Sequence, residues 1–218
     1  MRMESVERRS FVFSLGFHED FVIRRLSRLA ARGGEDIVLF TGSPVVAGTR
    51  RAHASLIEYC TRVGLNTPRL VELPLSDSSL AVSRARSVIN GLYEPIIADL
   101  GGGMRAVIVA VLIALFTSGK VFELYVSSES GEAEELHIPS GIARAFSSLS
   151  KEKRDILEFI AKNEYSNADT IAYRLGKSSK TVRNHLADLK KMGLVVSHGR
   201  KGGLKLTSWG KAILGLNE

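Results

Sequence analysis

The sequence predicts an α/β fold with a doubly wound, mostly parallel Rossmann-like sheet, followed by a winged helix-turn-helix domain. Three observations predict it. Over residues 10–127 short apolar runs alternate with longer amphipathic ones, the pattern of strands alternating with crossover helices. A glycine turn, Gly101-Gly102-Gly103, separates one such run from a helix. Charge is segregated: residues 151–218 hold 14 Lys+Arg against 7 Asp+Glu, a net +7, whereas residues 1–150 hold 16 of each. With 218 residues and 44% apolar content the chain can build two cores. A field attractive to polyanions belongs to the second domain alone.

Ser10–Leu15 reads as the first strand, then Gly16-Phe17-His18 and a helix from about Glu19 to Ala31. Ile37–Thr41 is the second, leading through Gly42-Ser43-Pro44 to a helix over Thr49–Val63. Leu70–Leu73 is the third, with Ser76 or Asp77 capping a helix to about Leu92. Pro95–Leu100 is the fourth, followed by the glycine turn, a helix over Met104–Ser118 and a fifth strand, Val121–Val126. Continuous apolar runs such as Ile37-Val38-Leu39-Phe40 suit parallel strands buried on both faces.

Open parallel sheets bind ligands beyond the carboxyl ends of their strands. Three loops fall there: Gly16-Phe17-His18, Thr41-Gly42-Ser43-Pro44 and Gly101-Gly102-Gly103-Met104-Arg105. The last is the most suggestive, because glycines admit a ligand close to the backbone, a helix N-terminus attracts anions and Arg105 forks onto phosphate. A tight strand-to-helix turn with a surface Arg is the plainer alternative. Gly101 to Ala106 matches G-x-G-x-x-A, but after the fourth strand and without a placed ribose-binding acid, which argues against a dinucleotide dehydrogenase. No Walker A loop occurs. The five histidines and Cys60 show no ligand spacing, so no metal and no cofactor are expected. No nucleophilic triad is visible, and His18, Glu19 and Asp20 read better as an acidic helix start than as an acid-base site. The lone Cys60 reads as a small core residue of a cytoplasmic protein. The longest apolar run, Ala106 to Phe116, is 11 residues, too short to span a bilayer, and no secretory signal is seen.

The expected boundaries are 1–127 for the sheet domain, 128–149 for a linker with a possible edge strand at Glu134–Ile138, and 150–218 for the basic domain. Ser150 caps a helix to about Asn163 with Ile156, Phe159 and Ile160 on its apolar face. A second helix, Ala168–Leu175, ends at Gly176. The third begins at Ser178-Ser179-Lys180-Thr181. Helical spacing puts Val182, Leu186 and Leu189 on one side, and Lys180, Arg183, Asn184, Ala187 and Lys191 on the other with no acid among them. Such a face suits the major groove of double-stranded DNA. Strands Leu194–His198 and Leu204–Thr207 then enclose a glycine-rich tip bearing Arg200 and Lys201, a wing fit to hold phosphates. The expected DNA-contacting residues are Ser179, Lys180, Thr181, Arg183, Asn184, Lys191, Arg200 and Lys201.

The two halves together resemble archaeal CRISPR-associated transcriptional regulators with an N-terminal CARF domain (CRISPR-associated Rossmann fold) and a C-terminal winged helix-turn-helix. The resemblance rests on Leu15-Gly16-Phe17-His18-Glu19, on Ser43-Pro44-Val45-Val46-Ala47-Gly48-Thr49-Arg50 and, most specifically, on Asp99-Leu100-Gly101-Gly102-Gly103-Met104-Arg105. It covers nearly the whole chain from about Ser10, with Met1 to Arg9 as an extension of no assigned role. It implies a homodimer, not an enzyme, whose CARF domains take up a cyclic oligoadenylate, with the tetra-adenylate the expected ring. Gly16, Phe17, His18, Ser43, Pro44, Gly101, Gly102, Gly103, Met104 and Arg105 would then line the pocket, and the winged helices would bind CRISPR-system promoters. Two alternatives stand beside it: a ring nuclease cleaving the cyclic ligand, and a DNA-binding sensor of another metabolite.

Overall fold

A computed structural model describes residues 8–127, 135–198 and 203–216. The chain divides into two compact units, residues 1–139 and 140–218.

In the first unit the elements alternate as β1 (Ser10–Ser14), α1 (Asp20–Arg28), β2 (Asp36–Gly42), α2 (Ala47–Arg62), β3 (Arg69–Leu73), α3 (Ser78–Asn90), β4 (Ile96–Asp99), α4 (Arg105–Ser118), β5 (Phe122–Ser127) and β6 (Glu135–Ile138). The sheet order is β3-β2-β1-β4-β5-β6, with β1 to β5 parallel and β6 antiparallel to β5. The chain winds outward from β1 in both directions, so the order reverses between β1 and β4. Phe11, Phe13, Ile37 and Leu39 point to the face covered by α1 and α2, where Leu26, Leu56 and Cys60 complete the core. Their alternating neighbours lie on the other face, against which α4 packs with α3. Cys60 is fully buried, which pushes its thiol pKa up and fits its expected packing role.

Two boundaries differ from the sequence reading. Helix α1 stops at Arg28 rather than near Ala31, and Ala30 takes the left-handed conformation at φ 46°. Arg9 explains the stop: its guanidinium donates to the Leu29 carbonyl at 2.6 Å and to Glu35 at 2.6 Å, replacing the next helical turn. Arg9 thereby gains a role that the sequence withheld. Within 128–149, expected as a linker with a possible edge strand at Glu134–Ile138, that strand forms over Glu135–Ile138, and a helix follows it. β6 completes the first sheet, and α5 (Ser140–Ser148) belongs to the second unit.

The second unit continues with α6 (Lys151–Lys162), α7 (Ala168–Arg174), α8 (Ser179–Lys191), β7 (Val195–His198), β8 (Gly203–Leu206) and α9 (Ser208–Ile213). Helix α5 is held by buried Ile142 and Ala143, and a side chain at Gly141 would meet the Met192 backbone at 2.7 Å. On α6 the buried residues are Ile156, Leu157 and Ile160, while Phe159 is only half-buried. Among the described residues no helix is long and apolar enough to cross a membrane.

Candidate functional site

At the β1/β4 reversal two backbone segments approach each other directly. A Cβ on Gly16 would lie 2.9 Å from the Gly103 Cα, and one on Gly103 3.0 Å from the Leu15 carbonyl carbon. Gly103 also has φ +87°, so both glycines are required, one for space and one for conformation as well. The Ser14 hydroxyl donates to the Gly102 carbonyl. Around this seam the three expected loops converge. The Phe17 ring lies against Gly48 in the first turn of α2, and the Met104 sulfur lies beside Gly42. Phe17 is 65% exposed and Met104 55%, a large commitment of apolar surface to solvent. His18, Pro44 and Arg105 are exposed at the same end. Ser43 is exposed too, and its hydroxyl donates to Glu72 at 3.0 Å, so a carboxylate stands at the rim that sequence reading did not place.

Helix capping divides the helices that start at this end of the sheet, where α1 also lacks a side-chain cap but carries Asp20 in its first turn. Side chains cap α3 (Asp77), α6 (Ser150), α7 (Asn167), α8 (Ser178) and α9 (Thr207). Helices α2 and α4 start at Val46 and Met104 with no side-chain cap and no acid in the first turn. Their leading amides and positive dipole ends are left for another acceptor. Arg105 makes no ion pair or hydrogen bond among the described residues, so its charge is equally uncommitted there.

Beneath the glycine turn lies a polar network unforeseen from the sequence. Arg25, 3% exposed, donates from Nε to Asp99 Oδ2 at 2.8 Å and from Nη2 to Glu135, with its guanidinium 3.9 Å from the centre of the Tyr125 ring. The other oxygen of Asp99 accepts from the Gly101 amide at 3.0 Å. Burial holds the Asp99 carboxyl above the ordinary aspartate range although Arg25 pulls it down. Burial and a hydrogen bond to Glu123 push the Tyr125 hydroxyl up to about 12. Arg25 was legible only as one more Arg on an amphipathic helix. No group of His, Cys, Asp or Glu among the described residues could hold a metal.

In the second unit Ser178 caps α8 by accepting from the Thr181 amide at 3.1 Å, and its hydroxyl pairs with that of Thr181 at 2.8 Å. Val182, Leu186 and Leu189 are buried as the periodicity requires. Ser179, Lys180, Thr181, Arg183, Asn184, Ala187 and Lys191 are exposed. One contact comes from outside the helix. The exposed face is free of acids within α8, but Asp169 of α7 accepts from Arg183 at 3.0 and 3.2 Å. Asp188 turns the other way to Lys153 at 2.8 Å. The wing pairs Val195 with Leu206 through His198 with Gly203. Arg200 and Lys201 lie outside the described residues. A third segment, missed in the sequence, joins the wing: Tyr165 N–H donates to the Leu204 carbonyl at 2.8 Å, and Leu204 N–H to the Ser166 carbonyl at 3.2 Å.

Comparison with known proteins matches both units. Residues 150–197 match the bacterial regulatory protein arsR family, a helix-turn-helix. Over 211 residues the chain is 32% identical to the CRISPR locus-related protein Csa3 of Saccharolobus solfataricus, which is named for DNA binding, covering 96% of this chain and 89% of that one. Among solved structures, Can2 of Sulfobacillus thermosulfidooxidans, in complex with cyclic tetra-adenylate, is 10% identical with a TM-score of 0.44. A Vibrio cholerae protein is 13% identical with a TM-score of 0.39. This chain covers 62% of each, and likenesses so loose assign no ligand. Residues 9–139 match the Csa3 CRISPR-associated Rossmann-like domain, and with the helix-turn-helix behind it the chain belongs to the Csa3 family of CRISPR-associated DNA-binding regulators.

Proposed function

We propose that this regulator works in the cytoplasm as a homodimer controlling promoters of CRISPR-system genes, in response to a cyclic oligoadenylate bound at the β1/β4 reversal. The observation that carries the ligand class is the pair of uncapped helices, α2 and α4, converging with Arg105 on a glycine seam. A ring of phosphodiesters supplies the acceptors those amides lack. The exposed Phe17 and Met104 would pack on adenine faces, His18, Ser43 and Pro44 would border the ring, and Gly101 to Arg105 would hold its phosphates. The resemblance to CARF regulators supports the cyclic tetra-adenylate as the ring. A dimer is supported by α4, whose apolar residues run all round it and leave Val109 (53%) and Ile113 (44%) exposed. Two winged helices would then read half-sites one or two helical turns apart.

The test is a titration of promoter DNA with protein, with and without cyclic tetra-adenylate. A changed affinity supports the reading, because a ligand shifts DNA binding only if it prefers one arrangement of the dimer. No change with any ring size would sink it, and linear products from the labelled ring would reassign the ligand as a substrate. A separate measurement addresses the wing. The double variant Arg200→Ala/Lys201→Ala is expected to weaken binding to every duplex and to reduce the slope of log affinity against log salt by about 2, one per lost phosphate contact. An unchanged slope would remove the wing tip from the interface.

A further inference from the structure

The ion pair between Arg183 and Asp169 sits in an unexpected place. Arg183 belongs to the exposed face of α8, where every other charge within the helix's outward set is a lysine, Lys180 or Lys191. Asp169 comes from the first turn of α7, the helix that in this motif crosses the DNA backbone. A carboxylate there stabilises its own helix through the dipole. Toward a polyanion it does the opposite, and it does so beside the one arginine of the face. Both side chains are 63% exposed, so the pair adds little to the stability of the fold. Fold stability therefore does not account for it.

The geometry defines what the pair does. A single nitrogen, Nη2, donates to both oxygens of Asp169, at 3.0 and 3.2 Å. Nη1 and Nε of Arg183 make no bond among the described residues. The guanidinium is thus anchored at one corner, with the rest of its fork free and a carboxylate beside it. A fork oriented next to a negative charge is less suited to a phosphate, which is bound chiefly through charge. It remains able to donate in its plane to the edge of a guanine, where hydrogen-bond geometry decides.

We propose that Asp169 is a specificity-determining residue of the DNA interface: by holding Arg183 it directs that arginine to a base edge and withholds it from the phosphate backbone. Asp169 acts through Arg183 and is a positioning residue. The inference rests on the DNA-binding reading of α8. It makes the lysines and the wing the source of general affinity, and Arg183 the source of discrimination.

The experiment uses the full-length chain and two probes: the duplex that the wild-type protein enriches from a random-sequence pool, and a scrambled duplex of equal length. Asp169→Asn is expected to tighten binding to the scrambled duplex about 5- to 10-fold at low salt. Its salt slope should steepen by about 1, since one more cation meets phosphate. Binding to the enriched duplex should change less than 3-fold, so the specificity ratio falls. In an Arg183→Ala background, itself expected to lose about 10-fold on the enriched duplex, Asp169→Asn should have no further effect on either probe. The melting temperature of each variant is measured alongside and is expected to stay near wild type. Equal changes on both probes would overturn the proposal, as would a persistent gain in the Arg183→Ala background, which would show plain repulsion by Asp169. Failure of the wild-type chain to enrich any duplex would instead refute the DNA-binding reading itself.

Discussion

Arg25→Met should destabilise the N-terminal unit by about 3–5 kcal/mol, the usual consequence of stranding buried charges. Methionine retains the packing of the aliphatic stem, so the loss isolates the guanidinium. Two carboxylates depend on it: Asp99, which is 3% exposed, and Glu135 on the edge strand. Without Arg25, Asp99 must keep its charge in a poor solvent or take up a proton, whereas Glu135 retains Arg28 at 3.5 Å. Arg25→Lys should recover only part of the loss, because an ammonium lacks the planar fork that now reaches both partners while lying over Tyr125. Urea unfolding followed by circular dichroism reads the effect directly. A loss below about 1 kcal/mol would mean that water satisfies these carboxylates and that the network is not a structural necessity.

Gly103→Glu is expected to abolish binding of the cyclic oligoadenylate, by at least about 100-fold, or roughly 2.7 kcal/mol. Two costs act together. Any side chain there must accept φ +87° and press its Cβ against the Leu15 carbonyl at 3.0 Å. The added carboxylate also points a negative charge into a site proposed for phosphates. DNA binding in the absence of ligand should be retained, because the second unit has its own core. Isothermal titration with cyclic tetra-adenylate and promoter binding without it separate the two effects. A variant that still binds the ring within 3-fold of wild type would move the site away from the β1/β4 reversal.

The fold was largely readable because each level of the sequence agrees with the next. Continuous apolar runs mark β2 and β4, the spacing of Val182, Leu186 and Leu189 marks α8, and Ser150 and Ser178 announce the helices they cap. What escaped depends on partners distant in sequence. Arg25 reaches across 74 residues to Asp99 and 110 to Glu135, and no local pattern encodes such a meeting. Tyr165 joins the wing through Leu204, 39 positions later, using one backbone pair too short to leave a strand signature. Asp169 reads as an ordinary acid in a first helical turn. Its partner, Arg183, appears only when α7 and α8 are packed. The site loops were legible as glycine turns at strand ends, whereas the absence of caps on α2 and α4 gained meaning only beside the capped helices.

Under the proposed ligand reading, those bare helix starts set a limit on how stable this protein can become without losing its sensitivity. A serine or aspartate in place of Met104 is the kind of exchange that ordinarily strengthens a helix by about 1 kcal/mol. Here it would fill from within the place held open for a visitor. Selection for thermal robustness and selection for sensing therefore pull against one another at a single position. A hydrophobic Met104, more than half exposed at the mouth of α4, is the residue expected there if the proposed ligand supplies the missing acceptor.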